Sequence, residues 1–207
     1  MGAMRVLVAC EKSGIIRQAF EKHGHDAWSC DLQNSDILGK HYKGDVRDIL
    51  YCNSWDLIIA HPVCTRLCNS SVLRLYHNSK KEFGLNPDKI LEMIEAANFF
   101  KLFLNHHCER IAIENPIMHC YAKRIIGVEQ TQIIQPFQFG HPESKATCLW
   151  LKGLPLLRHT EVLRLKPGER WQNQSPSGNN KLGGKAAELR AKTYQGIANA
   201  MAEQWGN

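Results

Sequence analysis

Arg5-Val6-Leu7-Val8-Ala9-Cys10-Glu11-Lys12-Ser13-Gly14-Ile15-Ile16-Arg17-Gln18-Ala19-Phe20 decides the fold. Its first residues form a short apolar, β-rich run, the pattern of a buried strand. Ser13-Gly14 breaks the run. Ile15, Ile16, Ala19 and Phe20 then recur at helical spacing, and Gly24 closes that helix. A buried strand feeding at once into an amphipathic helix is the opening of a crossover unit.

The alternation continues downstream. Asp26–Cys30, Trp55–Ala60, Arg110–Glu114, the run from Gln132 and Ala146–Leu151 read as strands. Asp88 is read as the cap of a helix reaching about Asn105, with Ile90, Met93, Ile94, Ala97 and Leu104 on one face. Thr65–Pro87 is polar and reads as a surface loop, residues 166–185 as a second loop, and Ala187–Trp205 as a closing helix. Gly44–Asp48 reads as a tight polar connection. The expected fold is α/β, a doubly wound, mainly parallel, Rossmann-like sheet in a single domain over residues 4–207. Met1-Gly2-Ala3 is expected to be an added leader. In such sheets ligands bind outside the carboxyl ends of the strands.

The chain has 207 residues, a formal charge of +6, 43% hydrophobic and 22% charged residues. That suffices for one well-buried core. No apolar run reaches the roughly 20 residues of a membrane helix, and no signal peptide is visible, so no membrane partner is expected. The eight cysteines are expected to be reduced thiols. No Cys-x-x-Cys pair occurs, and no metal site is expected. The basic balance suits a polyanionic partner such as nucleic acid.

Four constellations fall at expected strand ends. Cys10-Glu11-Lys12-Ser13-Gly14 is a turn that could bring backbone amides to a cofactor, or an ordinary strand-to-helix connection. Asp31, after the second strand, could accept bonds from ribose hydroxyls or simply cap a helix, and Asp45 offers a second acid nearby. Cys64, in the Pro-stiffened His61-Pro62-Val63-Cys64 loop, is a candidate nucleophile, although a free cysteine is often a core residue. Glu114 ends the apolar strand Ile111-Ala112-Ile113. A carboxylate there costs solvation energy unless partnered, so its pKa is expected to be raised and it could donate a proton.

Together these residues resemble the cytosine-5 DNA methyltransferase family, in the family's motif order. Ser13-Gly14 is similar to the end of the glycine-rich cofactor loop, Asp31 to the ribose acid, and Gly44-Asp45-Val46 to the Gly-Asp motif at the adenine. His61-Pro62-Val63-Cys64 resembles the Pro-Pro-Cys nucleophile motif, and Glu114-Asn115-Pro116 the Glu-Asn-Val motif. Phe139-Gly140-His141-Pro142-Glu143-Ser144-Lys145 resembles the Gly-x-Pro-Gln-x-Arg stretch, and Gly196-Ile197-Ala198-Asn199-Ala200 the last Gly-Asn motif. The chain is also similar to short phage and prophage proteins of this kind. The resemblance implies a methyltransferase-type fold, S-adenosylmethionine as cofactor, DNA as partner, and the cytoplasm of a bacterial host. It implies Cys64, Glu114 and Lys145 as catalytic residues. It places Cys10, Ser13, Gly14, Asp31, Asp45, Val46, Pro62 and Asn199 at the cofactor.

The departures are specific. Glu11 stands where the family has glycine, Val63 replaces the second proline, and Lys145 and Thr147 replace two arginines. Only residues 156–190 fill the place of a target-recognition region. Arg170, Trp171, Gln172, Asn173 and Lys181 could form a minimal recognition loop, with Arg66 and Arg74 on a phosphate track, or all could lie on solvated surface. The implied chemistry is addition of Cys64 to carbon-6 of cytosine, methylation at carbon-5, and release of the thiol. The alternatives are the same chemistry on RNA or on a free or modified nucleotide, and a non-catalytic binding protein on this fold. A homodimer would supply further recognition surface.

Overall fold

The computed structural model describes residues 2–51, 54–175 and 192–207. Strands β1 (Arg5–Ala9), β2 (Asp26–Asp31), β3 (His41–Lys43), β4 (Leu57–Ala60), β5 (Ile111–Pro116), β6 (Gln132–Ile134) and β7 (Thr147–Lys152) form one sheet in the order β3-β2-β1-β4-β5-β7-β6. The pairs from β3 to β5 are parallel, and β7 runs antiparallel to both β5 and β6. The fold is therefore the expected α/β, doubly wound, mainly parallel one. The helices are α1 (Ile15–Lys22), α2 (Arg47–Leu50), α3 (Pro87–Leu104), α4 (Cys120–Ile126) and α5 (Gln195–Trp205).

Alternate residues of the central strands feed two cores. Leu7, Ala9, Ile58, Ala60, Ile111 and Ile113 pack with Ala97, Phe100 and Phe103 of α3. Val6, Val8, Leu57, Ile59 and Ala112 pack with Ile16 and Phe20 of α1 and with Ile197, Met201 and Trp205 of α5. Burial on both faces explains why these strands read as continuous apolar runs rather than alternating ones.

Several expected boundaries move. Asn86, not Asp88, caps α3: its side chain accepts from the backbone N–H of Asp88 and Lys89, and Pro87 occupies the first turn where no donor is needed. Thr65–Pro87 is more than a surface loop. It folds into three 3₁₀ turns, and Leu67, Ser71 and Leu75 are buried. β3 pairs with β2 through only three residues, too few to show a period in the sequence. The part of residues 187–205 that is described is helical from Gln195.

Two glycines are needed sterically. Gly14 holds φ +71° at the start of α1, and a Cβ there would meet the Arg17 guanidinium at 2.8 Å. Gly196, in the first turn of α5, lies so close to Phe139 that a Cβ would stand 2.0 Å from its carbonyl oxygen. Its N–H donates to His141 Nε2 at 2.9 Å. Gly196 thus joins the two last motifs by packing. No helix among the described residues is long and apolar enough to cross a membrane.

Candidate active site

β1 and β4 are neighbours whose connections leave to opposite sides, so a crevice opens at their carboxyl ends. Two cavities occupy it. One, of about 410 Å³, is lined by Cys10, Glu11, Lys12, Ser13, Asp31, Gln33, Asp36, His61, Lys192 and Thr193. The other, of about 420 Å³, is lined by Cys10, Cys30, Asp31, Leu32, Gln33, Gly44, Asp45, Val46, Arg47, Val63 and Phe99. Cys10, Asp31 and Gln33 belong to both, so the cavities adjoin.

Glu11 is buried in the turn after β1. Its carboxylate accepts from the N–H of Ile16 at 2.8 Å and of Arg17 at 3.4 Å, and from Ser13 Oγ at 3.0 Å. A side chain of the protein therefore fills the anion-favouring amino end of α1. Cys10 has φ +59°, an uncommon backbone region for a side-chain-bearing residue. Burial, with Cys30, Asp31 and Asp45 nearby, pushes its thiol up to about 12.

Arg17 is fully buried and ties α1 to the segment after β2. It donates to Ser29 Oγ at 3.0 Å and to the carbonyl of Ile37 at 2.7 Å, and it pairs with Glu21 at 2.9 Å. That segment carries Asp36, which pairs with Lys192 at 2.9 Å and with Lys12 at 3.5 Å. The chain just before α5 is thereby brought over the first cavity.

The Cys64 loop is stitched to the end of β5 and to the segment after it. Asn115 Nδ2 donates to the Pro62 carbonyl at 2.9 Å, Asn69 N–H to that of Ile117 at 2.7 Å, and His119 N–H to that of Leu67 at 3.0 Å. Cys64 accepts at its carbonyl from the N–H of Cys68 at 3.0 Å, a helical turn that sets the two thiols together. The Cys64 thiol is pushed up, first by its bond with Cys68 and then by burial, while Lys145 pulls the other way. Cys68 is held down at about 4, first by Cys64 and further by Ser70 and Ser71 against the cost of burial. The two thiols are thus coupled, and Cys68 Sγ lies 3.3 Å from Ser70 Oγ and donates to Ser71 Oγ at 3.4 Å.

His61 Nδ1 lies 3.2 Å from Glu114 Oε2, each side chain 14% exposed. Burial disfavours both charges, but their mutual attraction outweighs it. His61 is raised above its ordinary pKa and Glu114 lowered below its own, with Lys145 helping to hold the carboxylate ionised. This reverses the expectation that Glu114 would be raised and donate a proton, because the sequence gives no sign that a histidine from the next strand faces it.

The other expected residues divide. Lys145 acts electrostatically on His61, Glu114 and Cys64, and its ammonium lies over the Tyr194 ring. Asn199 is exposed on α5, bonded to Gln195, and lines neither cavity; Lys192 and Thr193 stand there instead. The recognition-loop expectation changes most. Asn173 is buried, and its amide makes paired bonds with the backbone of Ser144 at 3.1 and 2.8 Å. Trp171 stacks on Phe137 at 4.5 Å and 5°. Gln172 donates its N–H to Pro142, and Arg170 donates to the carbonyl of Ser175. Arg66 is paired with Glu92, and Arg74 is exposed. Lys181 lies outside the described residues. No group of three or more metal-ligating side chains occurs among the described residues.

No protein-family model and no curated protein matches the chain. Among solved structures it is similar to one described as a DNA modification methyltransferase encoded within a prophage (E. coli), at 12% identity over 77% of this chain and 52% of that one, TM-score 0.47. The Entamoeba histolytica methyltransferase EhMeth is 15% identical over 80% and 58%, TM-score 0.47. The S. pombe Dnmt2 methyltransferase is 17% identical over 72% and 49%, TM-score 0.39. The chain spans about half the length of these proteins. At such identities the likeness concerns the fold alone.

Proposed function

We propose that this chain transfers a methyl group from S-adenosylmethionine to carbon-5 of cytosine in DNA through an adduct at Cys64. The observation that supports this reading is that Lys145 acts electrostatically on both Cys64 and Glu114, while His61 and Val63 of the Cys64 loop line the paired cavities. The cavities fit the cofactor by their chemistry. Asp31 and Asp45, with Val46, Val63 and Phe99, offer ribose acceptors and an apolar purine wall. The first cavity carries groups of both signs, suited to a zwitterionic amino-acid end. Glu11, seated at the amino end of α1, argues against a pyrophosphate there and in favour of a cationic ligand.

When bound, S-adenosylmethionine supplies an electrophilic methyl group. The chain's residues prepare the base to take it. Cys64 releases its proton to solvent, with Lys145 favouring the thiolate, and the thiolate adds to carbon-6. Glu114, ionised, accepts from the exocyclic amine rather than donating to the ring. Lys145 donates to the ring nitrogen as negative charge develops there. After transfer, the carbon-5 proton passes to solvent, the C5=C6 bond re-forms and Cys64 leaves as the thiolate. A base in a duplex would first have to be flipped out, at a cost of a few kcal/mol.

A single-stranded, RNA or nucleotide substrate is the second reading. It is favoured by the use of Asn173 and Trp171 in holding the fold instead of facing outward. An oligonucleotide bearing 5-fluorocytosine has no removable proton at carbon-5 and should trap the Cys64 adduct as a mass increase in the presence of cofactor. No adduct on single- or double-stranded DNA would count against DNA as substrate, and an adduct on the corresponding RNA would select the second reading.

A further inference from the structure

His61 is fixed at one ring nitrogen and unpartnered at the other. Nδ1 is committed to Glu114. Nε2 is buried and has no hydrogen-bond partner among the described residues. The residue lines the cavity that Glu11, Ser13, Lys192 and Thr193 also line. A buried ring nitrogen left without a partner costs free energy unless a ligand completes it. The charged groups acting on His61 come from three elements: Glu114 on β5, Glu11 after β1, and Lys145 before β7. The two carboxylates favour the imidazolium, and Lys145 opposes it. With Nδ1–H held by Glu114 Oε2, the imidazolium presents Nε2 to the cavity as a donor.

We propose that His61 Nε2 donates a hydrogen bond to the carboxylate at the amino-acid end of the ligand in this cavity, with Glu114 as the positioning residue that fixes the ring. This rests on the cofactor reading above and adds a binding residue to it. It also gives Glu114 two roles, since the group that meets the base also orients the ring that meets the cofactor. The carboxylate is the acceptor that matches an imidazolium donor, and charge-assisted bonds of this kind are about twice as strong as neutral ones.

Calorimetry with two ligands tests this. S-adenosylhomocysteine has the amino-acid end, and 5′-methylthioadenosine lacks it. His61→Gln should weaken S-adenosylhomocysteine by about 10- to 100-fold and leave 5′-methylthioadenosine unchanged. Above the free His61 pKa, wild-type protein should take up a proton on binding S-adenosylhomocysteine, read from the dependence of the heat on buffer ionisation. His61→Gln should not. Equal weakening of both ligands would mean a merely structural His61 and overturn the proposal. So would unchanged affinity together with unchanged proton uptake. Failure of wild type to bind either ligand would instead overturn the cofactor reading, and this inference with it.

Discussion

His61 and Glu114 meet at 3.2 Å across the carboxyl ends of the adjacent parallel strands β4 and β5, and each holds the other charged in a largely buried place. The pair gives stability a dependence on pH with a definite sign. His61 is raised above 6.5, so its contribution is full below pH 6.5 and is lost as pH rises through the folded value. Glu114 is lowered below 4.5, so its contribution is full above pH 4.5 and is lost as pH falls through the folded value. The difference in Tm between wild type and Glu114→Gln should therefore be greatest between pH 4.5 and 6.5 and shrink on either side. A difference that does not vary with pH would show that the pair is not ionic.

Arg17 is fully buried and spends its guanidinium on Ser29, Glu21 and the carbonyls of Ile37 and Leu38. Arg17→Met should cost about 3 kcal/mol in urea unfolding. It should also speed amide exchange in residues 33–39, which carry Asp36 to the first cavity. Unchanged exchange there would refute the anchoring role.

Asn173→Ala removes both side-chain bonds to the Ser144 backbone. A stability loss of about 2 kcal/mol is expected from the backbone groups left unpaired. A variant as stable as wild type that had lost nucleic-acid affinity would restore Asn173 as a recognition residue.

Cys68→Ala removes the neighbour whose bond holds the Cys64 thiol up. The rate of Cys64 alkylation by iodoacetamide at neutral pH should rise in the variant, because Cys64 then ionises at lower pH. Slower alkylation in the variant would show that Cys68 activates Cys64 instead of restraining it.

Asp31→Ala and Asp45→Ala should each weaken S-adenosylhomocysteine by about 10- to 100-fold in calorimetry, with little change in Tm. Tight binding by both variants would move the ribose and purine away from the second cavity.

β1, β4 and β5 were legible as strands because they are buried on both faces and so appear as apolar runs ending in polar turns. β3 and α4 were not, being too short to show a period. At the site, local signals marked Asp31, Cys64 and Glu114 as candidates, since an acid or a thiol following an apolar run stands out, although β5 continues past Glu114 to Pro116. Contacts between distant segments left no such signal. Glu11 reads as a defect in a glycine loop, yet it caps α1. His61 reads as a turn residue, yet it faces Glu114 from 53 positions away. Lys192 reads as part of the closing helix Ala187–Trp205, yet it precedes α5 and its bond to Asp36 brings it to the first cavity. Asn173 and Trp171 look like a recognition loop because nucleic-acid readers and loop anchors use the same residue types. Only their partners, Ser144 and Phe137, separate the two.

The most direct measurement is transfer of isotope-labelled methyl from S-adenosylmethionine to cytosine-containing DNA, single- and double-stranded, with Cys64→Ala beside the wild type. Label at carbon-5 of cytosine with wild type and none with the variant is the expected result. Undiminished transfer by Cys64→Ala, or no transfer by folded wild type to either form of DNA, would contradict it.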